Sequence, residues 1–102
     1  MSSAMLITVL AVAVLLSAGC SSGEGEALFR ENCSSCHPGG GNISRGDKGL
    51  KRDDLLRNNI RNAEDIVAYL RRPGPDMPTF TEQSLPHKDA VLLAEYILQN
   101  RW

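Results

Sequence analysis

The sequence predicts an all-α domain of about four helices joined by long loops. Three observations lead there. Apolar residues recur at helical spacing in the segments around Leu28, Ile66 and Leu93, and no segment shows the alternation of a strand. Each helical segment has end signals: acids in its first turn, arginines in its last, or a proline just beyond. The stretches between them are rich in glycine and proline and long for a chain of 102 residues, as in domains whose loops wrap something or carry function.

The N-terminus stands apart from this domain. Residues 4–18 are almost wholly apolar, too short for a comfortable membrane span and suited to the core of a secretory signal. The run ends in Leu-Ser-Ala-Gly-Cys and resembles the bacterial lipoprotein box, although Ser17 stands where that box has an aliphatic residue and no Lys or Arg precedes the run. Cleavage before Cys20 and lipidation of its thiol are expected. An uncleaved anchor and ordinary signal cleavage are the alternatives, and all three export the chain. The expected organisation is a signal peptide over 1–19, a lipidated cysteine and flexible tether over 20–24, and one domain over 25–102.

From Gly25 the pattern turns helical, with Glu24 and Glu26 near the positive end of the dipole and Ala27, Leu28 and Phe29 as apolar surface. Pro38-Gly39-Gly40-Gly41 ends it, and residues 38–50 read as loop, where Asn42 is a candidate for ordering the chain. Asp53 or a neighbour caps a short helix carrying Leu55, Leu56 and Ile60. Asn62 caps the next, whose face is Ile66, Val67 and Leu70 and which Pro73 stops. The last begins between Ser84 and His87 and buries Ala90, Leu93, Ala94 and Ile97. Net charge is −1, so overall charge names no partner. Basic residues are dense between Arg45 and Arg72 with acids among them, which reads as a solvated mixed-charge face or a docking patch.

The chemistry is concentrated in Cys33-Ser34-Ser35-Cys36-His37. Of three cysteines, lipidation uses Cys20 and leaves Cys33 and Cys36 as a pair. A thioredoxin-like dithiol needs a βαβ surround that is not visible. A zinc site needs ligands such as Cys33, Cys36, His37 and His87, of which the adjacent pair suits a tetrahedron poorly. A simple disulfide is a third possibility. Covalent haem c fits best: two thiols one turn apart can bond two vinyl groups on one porphyrin edge, and His37 then faces the iron. If cleaved before Cys20, the mature chain contains one methionine, Met77, between Pro75 and Pro78, and one further histidine, His87. A proline-stiffened loop holds a thioether in place, so Met77 is the expected second axial ligand and His87 a surface residue. With both positions filled the iron suits electron transfer, and the thioether raises its potential.

On these residues the chain resembles the class I c-type cytochromes, nearest the short cytochrome c6-like monohaem group. Beyond the haem motif, Gly25 and Phe29 match its first helix, Leu93 and Tyr96 its last, Met77-Pro78-Thr79-Phe80 its methionine loop and Arg101-Trp102 its terminus. The resemblance implies helices wrapped around one covalently bound haem with one edge exposed, and Phe29 packed on Tyr96 where Gly25 lets two helices cross. It implies a carrier of single electrons between redox proteins, with no substrate of its own. The expectation is therefore a periplasmic or otherwise extracytoplasmic carrier, held at a membrane by lipid at Cys20 and not an enzyme. A haem sensor or peroxidase-like protein with a displaceable Met77 is the alternative, and a haem-free lipoprotein a more distant one.

Overall fold

The computed structural model describes residues 20–102, with side chains from residue 23 onward. The signal segment and the Cys20 thiol lie outside the described residues. The helices are α1 (Cys20–Asn32), α2 (Arg52–Arg57), α3 (Ala63–Arg71) and α4 (His87–Gln99), with short 3-10 turns at Pro38–Gly40 and Gly46–Lys48. Among the described residues there is no strand, and no helix is long and apolar enough to cross a membrane.

Helix α4 is the centre of the packing, with α1 crossing one side of it and α3 lying against another. Its face is the expected one: Ala90, Leu93, Ala94 and Ile97 are all buried. Phe29 and Cys33 from α1 and the turn after it, Leu55 from α2, and Ile66 and Leu70 from α3 complete the core with Leu85. Val67 packs at its margin.

The α1 boundary differs from expectation. The helix already includes Cys20, the first described residue, so the stretch 20–24 read as lipidated cysteine and tether is helical. Gly25 marks a crossing point, not a helix start. A Cβ there would stand 2.7 Å from the Leu92 carbonyl oxygen and 2.8 Å from Tyr96 Cβ. Packing on α4 thus outweighs the poor helix propensity of Ser and Gly. Phe29 and Tyr96 then meet as expected, with ring centroids 5.5 Å apart.

Helix α2 is also shorter than expected. Its N-cap is Lys51, without a side-chain cap, and Asp53 and Asp54 lie in its first turn. It stops because Asn59 takes a left-handed conformation (φ 61°), and Ile60 N–H donates back to the Leu55 carbonyl at 2.8 Å. That is a Schellman-type ending, and it returns Ile60 to the core edge from outside the helix.

The start of α3 is as expected. Asn62 Oδ1 accepts from Asp65 N–H at 2.8 Å, and Asp65 Oδ2 accepts from Arg61 N–H at 2.9 Å. Asn62→Ala should cost about 1 kcal/mol, read as a fall of about 4–8 °C in the melting temperature of a domain of this size. An unchanged melting temperature would show that the cap contributes nothing.

Candidate functional site

The turn after α1 builds one wall of the site. Cys33 and Ser34 N–H both donate to the Phe29 carbonyl, at 2.8 and 3.0 Å, and His37 N–H donates to the Cys33 carbonyl at 2.9 Å. The i, i+4 relation between Cys33 and His37 therefore persists past the end of the helix. Gly39 and Gly40 follow in left-handed conformations and bend the chain back under His37. The His37 ring is buried, and its Nδ1 lies 2.7 Å from the Gly41 carbonyl oxygen. A carbonyl only accepts, so Nδ1 donates, and in the neutral ring that leaves on Nε2 the lone pair a metal-ligating imidazole needs.

Cys33 is buried, Cys36 is exposed, and the two are not joined. Burial first, and the neighbouring Cys36 second, push the Cys33 thiol up to about 12. A thiolate redox pair would need the opposite. An uncharged thioether suits the site. The zinc alternative also fails on placement: His87 is exposed at the start of α4, and no three metal-binding side chains converge among the described residues.

The opposite wall is the loop from Pro73 to Phe80. Met77 is half-buried and packs at the core edge, as a ligand or a core methionine would. Just before it, Asp76 is left-handed (φ 68°) and Arg45 Nε reaches its carboxylate at 3.2 Å, linking the two walls. Behind the loop, Gly74 N–H donates to the Tyr69 hydroxyl at 3.1 Å and Phe80 N–H to the Leu70 carbonyl at 3.0 Å. Between the walls lies a cavity of about 430 Å³. Cys33, Cys36, His37 and Met77 all line it, over a floor of Leu50, Leu55, Ile60, Ile66, Leu70, Phe80 and Ile97. The structure thus brings together every residue singled out for haem.

Asn42 orders the loop between the walls, accepting from Ser44 and Arg45 N–H at 2.8 Å each and donating to the Lys48 carbonyl at 3.1 Å. Two residues carry more than the sequence suggested. Trp102 packs on Phe29 and Tyr96 at 5.2 and 6.3 Å between ring centroids, and its ring fills the space a Gly40 Cβ would take. It therefore braces the loop beneath His37. The other is Arg71, whose Nη1 donates to the Phe80 and Leu85 carbonyls at 3.0 and 2.8 Å. Trp102 is the one tryptophan of the chain, which was a signal; Arg71 stood in a basic run with nothing to single it out.

A family model described as cytochrome c oxidase, cbb3-type, subunit III matches residues 22–97. Cytochrome c6 of Microcystis aeruginosa is 35% identical over 75 residues, which span 74% of this chain and 91% of that protein. The chain belongs to the class I monohaem c-type cytochromes. Within them it is cytochrome c6-like. Two solved structures have its fold. OmcF, an outer membrane cytochrome of Geobacter sulfurreducens, superposes with a TM-score of 0.71 at 43% identity, covering 72% of this chain and 94% of that one. Cytochrome c6 of the diatom Phaeodactylum tricornutum gives 0.69 at 29% identity, covering 76% and 90%.

Membership of this family implies haem c, and the cytochrome's own residues fit that group. Two unjoined thiols, a buried imidazole with its Nδ1 engaged and an apolar floor are what it requires. Bound haem supplies an iron that gains and loses one electron. The surrounding leucines and isoleucines would exclude water from it, and Gly41 fixes the His37 ring. The protein is an electron carrier and not an enzyme.

Proposed function

We propose that this cytochrome is exported, tethered to a membrane by lipid at Cys20, and carries single electrons between redox proteins at that surface. In this reading Cys33 and Cys36 bond the haem as thioethers, and His37 and Met77 are its axial ligands. The observation that carries the reading is the single cavity that Cys33, Cys36 and His37 line from one wall and Met77 from the other. The apolar run before Cys20 and the likeness to an outer membrane cytochrome support the export and the tether. Acyl chains add about 0.8 kcal/mol per buried methylene, so several chains on one cysteine hold a small domain at a bilayer.

Acid–acetone extraction tests the attachment. Protein made in a host that matures c-type cytochromes should keep its colour in the protein pellet, and Cys33→Ala with Cys36→Ala should release it. Haem extracted freely from the wild type would contradict covalent bonding. The tether has its own test. The wild-type protein should partition into detergent, and Cys20→Ala protein should remain in the aqueous phase. Mature wild-type protein with no added acyl mass at Cys20 would rule out lipid there.

A further inference from the structure

We infer that Arg71 is a positioning residue for the Met77 loop: its half-buried guanidinium pins the returning half of that loop to the end of α3 and so sets how firmly Met77 is held at the iron. The inference rests on Met77 being the second axial ligand.

The loop leaves α3 at Arg71 and rejoins the helical core at α4. Met77 lies in its outer part, after the left-handed Asp76. The ties on the two sides differ in strength. On the approach to Met77 there are one hydrogen bond from Gly74 N–H to Tyr69 and the Arg45–Asp76 pair, both of whose side chains are about half exposed. Solvent screens such a pair, and its contribution is small. On the return, Arg71 Nη1 reaches two carbonyls, Phe80 and Leu85, nine and fourteen residues along the chain. Hydrogen bonds with a charged donor are the stronger kind, and a guanidinium is rigid enough to hold both acceptors in one geometry.

Arg71 has no other visible task. No carboxylate pairs with it among the described residues. Its Nη2 is buried without a partner. It does not line the cavity that would hold the haem. Shielding a guanidinium nitrogen that has no partner carries a cost. What this one does secure is the closure of the loop, three residues beyond Met77.

The test uses the haem-loaded ferric protein and cyanide, which competes with Met77 for the iron. Arg71→Gln should raise cyanide affinity about tenfold or more, equivalent to about 1.4 kcal/mol of lost loop closure. Arg71→Lys keeps the charge and can reach one carbonyl, so its affinity should fall between. Asn62→Ala lowers general stability away from the loop and should leave cyanide affinity at the wild-type value. If Arg71→Gln does not fold, the Lys variant decides on the same measurement. The inference is overturned if the wild type shows the red absorption band of thioether-ligated ferric haem while the folded Arg71 variants bind cyanide as the wild type does. It also falls if the Asn62 variant gains affinity to the same extent, which would make the effect one of general stability. A wild type lacking that band, with cyanide affinity unchanged in Met77→Ala, would overturn the ligand assignment and the clamp together.

Discussion

Met77→Ala should lower the reduction potential by a few tenths of a volt, within the roughly 0.8 V that axial ligands span, and open the iron to carbon monoxide and cyanide. A thioether is a soft ligand that stabilises ferrous iron more than ferric, so its loss favours oxidation. The same loss would empty a coordination position, and the removed Met77 side chain, which lines the cavity, would leave room there for a small molecule. Redox titration and carbon monoxide binding by the reduced protein read the two effects separately. If potential and ligand access both stay at wild-type values, Met77 is not the ligand. Rapid carbon monoxide binding by the wild type itself would instead favour a sensor or peroxidase-like protein.

Gly25→Val should cost about 3 kcal/mol or more, at the upper end of what overpacking does and a large share of the stability of a small domain. The reason lies at the α1–α4 crossing. The new Cβ would meet the Leu92 carbonyl and Tyr96 Cβ, one of them backbone, so neither can swing aside cheaply. Relief would require α1 to move off α4, parting Phe29 from Tyr96 and shifting the turn that carries Cys33. Chemical denaturation followed by helix content measures the loss. A wild-type midpoint would mean that the two helices do not cross as closely as described.

The helix faces were legible because they depend on local spacing. Ile66 and Leu70 on α3, and Ala90, Leu93, Ala94 and Ile97 on α4, follow the period of the helix and are buried. Asn62 was legible as a cap because its acceptor and the Asp65 donor are three residues apart. The haem constellation was legible for the same reason, since Cys33, Cys36 and His37 occupy one turn. The role of Gly25 was misread because a glycine that often lies outside a helix here sits where α1 crosses α4. Ile60 was misplaced because a left-handed Asn59, not a proline, ended α2. The support of the Met77 loop was not legible at all. Arg71 meets carbonyls far along the chain, and Arg45 meets Asp76 at a separation of thirty-one residues. Such contacts leave no periodic trace.

In this reading the clamp and the ligands would bear on the same property, the structural rearrangement that accompanies a change in the oxidation state of the iron. A His37 ring fixed by Gly41 and a Met77 loop fixed by Arg71 would keep the coordination similar in both states. That similarity lowers the structural rearrangement each electron transfer requires.

The most direct test of the account is a spectroscopic redox titration of the wild-type haem protein. The account predicts a single one-electron transition, low-spin spectra in both states, and the red thioether band in the ferric form only. A high-spin spectrum with an open coordination position, in either state, would contradict it.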